Sequence, residues 1–147
     1  PLEKELKQQV KRRELNEKVV FLGPLPHDQV VKFVRALDLF VLPCKKDKQG
    51  DMDGIPVVLM EAMMVGTAVI SSRISGIPEL VIDEKTGKLI EPGNCEQLAA
   101  AMLELIKDEA LRGALISHAE KKVQQEFAQD INAKRLEALF AESIGNL

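Results

Sequence analysis

The chain has 147 residues, 46% of them hydrophobic and 29% charged, an ordinary composition for a soluble globular domain and one that leaves no low-complexity segment. A formal net charge of −3, with no Lys/Arg cluster interleaved with aromatics, excludes a nucleic-acid partner. Trp and Tyr are absent, so aromatic platforms for stacking on sugar rings are absent as well.

Residues 2–15 place Leu2, Leu6 and Val10 at helical spacing among Lys, Glu and Gln, which predicts an amphipathic helix with a wet outer face. The chain enters this charged stretch directly from Pro1, so we expect it to be part of a larger protein. Lys18–Leu22 (KVVFL) reads as a short buried strand, closed by Gly23–Pro24 and Pro26. Residues 28–37 repeat the helical period through Val30, Val31, Val34 and Leu37, and Leu39–Leu42 (LFVL) is a second apolar strand ended by Pro43. A polar loop from Cys44 to Asp53 follows. Cys44 and Cys95 lack metal-type spacing and read as reduced thiols of a cytosolic protein.

The next segment is the most informative. Ile55 to Gly66 is a twelve-residue run, apolar apart from Glu61, which predicts a buried helix with Pro56 in its first turn and Gly66 as its stop. It is too short to cross a bilayer. Ala68–Ser71 is a third strand, residues 76–79 a short helical turn, and Lys88–Ile90 a fourth strand. Asn94 and Gln97 form a capping box for a helix running to about Lys107. Helices near 109–127 and 131–144 close the chain. Strands that are apolar along their whole length and alternate with helices predict an α/β fold with a parallel, Rossmann-like sheet covered on both faces.

In such a sheet ligands sit beyond the carboxyl ends of the strands. There the helix from Pro56 presents unpaired amides at Val57 and Val58, which suit a phosphate, and Gly54 lets the backbone come close to a ligand. Two acids flank this entry, Asp53 and Glu61, and carboxylates accept hydrogen bonds from the vicinal hydroxyls of ribose and hexoses. Taken singly, Glu61 is equally well a structural carboxylate and Asp53 a turn residue. Together around a glycine-containing helix entry they fit a phosphate between two polyols, and a nucleotide sugar is the simplest such molecule. His27 and His118 lie far apart without supporting ligands, so no metal site is expected.

The stretch DGIPVVLMEAMMVGTAVISSRISGIPELVIDEKTGKLIEPGN resembles the donor-binding half of retaining glycosyltransferases of the GT-B fold, the group that includes the family-four enzymes. The pieces are Asp53, seven residues, then Glu61–Ala62–Met63, with Gly66, the turn Gly76 to Val81, Thr86–Gly87 and Pro92–Gly93. VVFLGPLP (19–26) and DLFVLPC (38–44) extend the match over nearly the whole chain.

The resemblance implies that Glu61 holds the ribose and Asp53 the transferred sugar, both counted as catalytic. Gly54, Ile55, Pro56, Val57 and Val58 would line the sugar and phosphate pocket, with Leu25 beside the base. Gly76 and Glu79 would shape the turn beside it. It further implies a partial C-terminal domain over 1–147, with the first two strands of that domain and the whole N-terminal domain lying elsewhere in the same protein. The missing strands belong between Val19–Leu22 and Leu39–Leu42, so the piece is expected to be marginally stable and prone to associate. The activity implied is metal-independent hexosyl transfer with retention from a nucleotide sugar to a hydroxyl acceptor, lipid-linked or polysaccharide, in bacterial polysaccharide or glycolipid biosynthesis. No cofactor is expected beyond the donor, and the location implied is the cytoplasm or the inner face of the membrane. Alternatives are a nucleotide-sugar-binding fragment or a decayed relative without turnover. Sugar-nucleotide epimerases share the architecture but not the acid-plus-Ala–Met pattern. The family usually has Glu where Asp53 stands, a methylene longer, so the sugar is left open.

Overall fold

The structure is a computed structural model and describes residues 2–46 and 54–127. The fold divides into two units, Pro1–Val30 and Val31–Leu147. In the first, helix α1 (Glu3–Arg12) places Glu3 and Glu5 in its first turn and Lys11 and Arg12 in its last, matching the helix dipole at both ends. Its expected apolar face is not buried: Leu2 is 63% exposed and Leu6 45%. The Lys7 ammonium lies over the Phe21 ring, 5.6 Å from its centroid.

Lys18–Leu22 is neither a strand nor buried, which corrects the expectation for that run. Val20 is 77% exposed. A strand needs a neighbour for its backbone groups, and among the described residues none pairs with this one. Helix α2 (His27–Arg35) covers most of the expected 28–37, and of its residues only Val34 is buried.

The second unit is built on a parallel sheet of β1 (Leu39–Leu42), β2 (Ala68–Ser72) and β3 (Lys88–Ile90), in that order. Leu39 pairs with Ala68, and Ile70 with Lys88. All five residues of β2 are buried, as a central parallel strand requires. Helix α3 (Val57–Met64) joins β1 to β2, and the short helix α4 (Ile77–Leu80) joins β2 to β3. Helices α5 (Cys95–Lys107) and α6 (Glu109–Lys122) follow. Ile70 and Ile90 on the sheet pack with Ala101 and Leu105 of α5 and Leu115 of α6 to form one apolar cluster. This α/β, Rossmann-like arrangement is the one expected. The helix expected at 131–144 lies outside the described residues.

Local chemistry sets the element ends. Gly66, at φ +81°, terminates α3 in a left-handed turn, with Thr67 N–H bonded to Ala62 O and Gly66 N–H to Met63 O. Thr67 Oγ1 then donates to Val34 O at 2.8 Å, fixing the start of β2 to the end of α2. Asn94 caps α5 by accepting from Gln97 N–H, but the expected box is only half formed. Gln97 Oε1 accepts from Glu91 N–H instead. Past Lys122 the helix widens into a π-turn, Val123–Phe127, where an unbroken helix was expected.

Lys88 is the one buried charged side chain among the described residues, 7% exposed, and its ammonium meets Glu84 at 2.6 Å and Glu104 at 2.8 Å. Burial pushes its pKa down, the hydrogen bonds to Glu104 and Glu84 push it up, and the net shift is upward from the ordinary 10.5. The folded chain therefore holds this proton more tightly than the unfolded one. The contribution to stability is complete below pH 10.5 and is lost as pH rises through the folded value. Lys88→Met leaves the half-exposed Glu84 and Glu104 carboxylates without their cation, so it should cost about 1–2 kcal/mol at pH 7 and should lose this alkaline decline in urea melts run across pH. The exposed Val19–Leu22 run should also drive association. Sedimentation velocity over a tenfold dilution should show it, Val20→Lys should weaken it, and a sharp, dilution-independent monomer melt would contradict it.

Candidate functional site

Because β1 and β2 run parallel, α3 runs back against them, and its amino end lies at the carboxyl edge of the sheet. Two bonds fix that edge. Leu42 O, the last carbonyl of β1, accepts from Ser71 Oγ of β2 at 2.8 Å and from Cys44 N–H at 3.0 Å. The chain is thereby turned out of the sheet into the loop that leads to α3. Ser71 was not singled out from sequence. Its signal was a hydroxyl at the end of an otherwise apolar strand.

The α3 entry is open in the way an anion site must be. Pro56, at φ −63° and ψ 123°, occupies the N-cap position rather than the first turn, and among the described residues no side chain caps the helix. Leu59 N–H bonds back to Pro56 O, and among the described residues the Val57 and Val58 amides remain as the unused donors of a helix start. No acid stands in the first turn to neutralise the dipole. Val57 is 63% exposed, so the helix is not buried on every side as its composition predicted. Only Leu59, Ala62 and Met63 face the core. A helix of eight residues on one sheet has one inner face, and apolar side chains beyond it reach solvent.

Glu61 lies four residues into α3, about 6 Å along the axis from Val57 at 1.5 Å per residue. It is half-buried, not the fully buried carboxylate anticipated. Asp53 lies outside the described residues. Leu25 is half-buried and belongs to the first unit. The structure thus brings Gly54, Ile55, Pro56, Val57, Val58 and Glu61 together on one helix entry.

The second wall comes from the loop after β2. A Cβ on Gly76 would stand 2.9 Å from Ile55 Cγ1, so Ile55 rests on the bare backbone of this turn. Ser75, just before it, adopts φ +52°, a left-handed conformation uncommon for a non-glycine residue. No residue pattern in the sequence marked that strain. Gly54 differs from Gly76: a Cβ there would meet nothing within 4 Å. Among the described residues nothing requires glycine at 54, which is exposed. Thr86 and Gly87, by contrast, are structural. Thr86 Oγ1 accepts from Ile82 N–H, and a Cβ on Gly87 would stand 2.7 Å from Val69 Cγ2.

Among the described residues no group of His, Cys, Asp and Glu is placed to hold a metal, and no helix is long and apolar enough to cross a membrane. Cys44 and Cys95 are not in a disulfide. The entry can receive an anionic group on its amides and offer a carboxylate to hydroxyls one turn further in.

Residues 1–122 match the family model described as glycosyl transferases group 1. The amylovoran biosynthesis glycosyltransferase AmsK of Erwinia amylovora is 39% identical over 135 residues, which cover 92% of this chain and 33% of that protein. The chain thus spans about a third of the length of this curated relative. Among solved structures, the C-terminal domain of a glycosyl transferase group 1 protein, LpcC of Francisella tularensis, superposes with a TM-score of 0.74 at 28% identity, covering 87% of this chain and 63% of that one. HepE of Anabaena in complex with UDP-glucose superposes with a TM-score of 0.76 at 27% identity, over 98% of this chain and 36% of that one.

The contrast between the two glycines is directly measurable. Gly76→Ala should cost about 1 kcal/mol or more, because the side chain of Ile55 must give way. Gly54→Ala should stay within about 0.5 kcal/mol of wild type. Urea denaturation followed by circular dichroism decides both.

Proposed function

This chain belongs to the group 1 glycosyltransferases, and from that membership we propose that it is the donor-binding part of an enzyme that transfers a hexose from a nucleotide sugar to a hydroxyl acceptor with retention of configuration. The observation that carries this reading is the uncapped, acid-free amino end of α3 at the carboxyl edge of the sheet, with Glu61 one turn inside it.

The energetic problem in such a transfer is the negative charge that builds on the departing diphosphate. Amides fixed in a helix start are oriented before the reaction, so they stabilise that charge without reorganising. Val57 and Val58 take this role, with the positive end of the α3 dipole behind them. Glu61 accepts hydrogen bonds from the ribose hydroxyls. Asp53, from the loop before Gly54, accepts from hydroxyls of the transferred sugar. Gly54 and Ile55 bring backbone close to that sugar, Pro56 sets the direction of the helix start, and Leu25 lies beside the base.

This chemistry asks for no metal and no cofactor beyond the donor. The acceptor, lipid-linked or polysaccharide, would meet residues of an N-terminal domain in the same protein. Work of this kind on bacterial polysaccharide or glycolipid precursors takes place in the cytoplasm or at the inner face of the membrane. The coverage of relatives in polysaccharide biosynthesis supports the reading.

Two substitutions test it in the full-length protein by titration calorimetry with UDP-, GDP- and ADP-sugars. Glu61→Ala should weaken the preferred donor about 10- to 100-fold, the value of one or two charge-assisted hydrogen bonds. Val57→Pro removes one amide donor at a first-turn position where proline is tolerated, and Pro56 already has the extended backbone that a following proline requires. It should keep the fold and weaken the donor about tenfold. Unchanged affinity in both variants would remove the α3 entry as the donor site.

A further inference from the structure

A second site lies at the opposite edge of the same sheet. Thr67 leads into β2 and Gly87 into β3, so both mark the amino edge. The second half of α6 is at that edge too, because a Cβ on Gly66 would stand 3.0 Å from Glu120 Oε1. Between α6 and the loop before β3 is a hollow of 220 Å³, about seven water volumes at roughly 30 Å³ each.

Its lining is cationic. His118, Lys121 and Lys122 come from one stripe of α6, and Lys85 faces them from the loop, beside Thr86 and Ile82. Lys122 is satisfied by Glu126, at 2.5 Å, and lies 5.7 Å from the Phe127 ring centroid, a five-residue reach that follows from the π-turn. Among the described residues Glu126 is the one carboxylate in the lining, and that bond occupies it. Lys85 and Lys121 have no ionic partner among the described residues.

Lysines in the last turn of a helix are commonly there to complement its dipole. That accounts for Lys121 and Lys122 singly. It does not account for Lys85, which comes from a different element and meets the same space. Like charges that converge on a concave surface repel one another, and the arrangement is relieved by an anion between them. A phosphate ester offers the charge and the acceptor oxygens that two ammonium groups and an imidazole can share.

We propose that the hollow lined by Lys85, His118, Lys121 and Lys122 is an anion site for a phosphate ester, separate from the donor site and on the other edge of the sheet. The ester is either soluble or a lipid headgroup, and the two sources are separable by experiment.

The test uses the full chain. Thermal melts by circular dichroism are run in inorganic phosphate and pyrophosphate, against chloride at matched ionic strength. Phosphate should raise the melting temperature of the wild type beyond chloride. In Lys85→Glu/Lys121→Glu the apparent affinity should fall at least about tenfold. Should that double variant not fold, Lys85→Met/Lys121→Met gives the same readout with less perturbation. Flotation with vesicles of phosphatidylglycerol and phosphatidylcholine, against phosphatidylcholine alone, separates the sources. Binding to the anionic vesicles that phosphate competes away assigns a headgroup. Phosphate stabilisation without vesicle binding assigns a soluble ester. Equal phosphate stabilisation in wild type and charge variants, or none in either, overturns the site.

Discussion

Strand β2 is held on every side, and what lies at both edges of the sheet follows from that constraint. It is hydrogen-bonded to β1 and to β3, and all five of its residues are buried. A parallel strand in that position can neither slide nor rotate, since a slip of one residue would exchange its two faces. Ile70 is fixed in the apolar cluster with α5 and α6. Val69 fills the space left by the missing side chain of Gly87. Ser71 reaches across to Leu42 O and sets where β1 ends. The loop that leaves β2 then carries Gly76 to Ile55, so the position of the α3 entry is transmitted from the strand through one residue contact.

The two edges of the sheet are chemically unlike. At the carboxyl edge the charge is supplied by backbone: an uncapped helix start with no acid in its first turn. At the amino edge it is supplied by side chains, Lys85 and Lys121 with His118 nearby. Backbone amides are rigid and lose little on binding, which suits a group whose charge changes during a reaction. Lysines are flexible, strongly hydrated point charges, better fitted to hold an anion than to act on one. Lys88 illustrates the third use of charge in this fold. Its ammonium is enclosed between Glu84 and Glu104, beside the Arg73 pairs with Asp83 and Glu91, and fastens β3 to α5 and to the loop before it.

Much of this was legible without coordinates. The apolar runs at Leu39–Leu42, Ala68–Ser71 and Lys88–Ile90 are strands, and the stop at Gly66 is real, because burial on both faces and a left-handed turn leave marks at single positions. The Lys18–Leu22 run carries the same mark and is not a strand among the described residues. Composition records an affinity for a sheet, not the presence of a neighbour to pair with.

The helix entry at residues 54–58 and the carboxylate of Glu61 were identified from residue type and spacing, since capping, glycine placement and the distance along a helix are local properties. The sequence by itself therefore determined most of the elements, their order and the chemistry of the α3 entry. Only the tertiary structure decided that Glu61 is half-buried, that Gly76 seats Ile55, and that Lys85 and Lys121 line the same hollow. Those facts depend on residues far apart in the chain coming to the same place, and no local pattern encodes that distance.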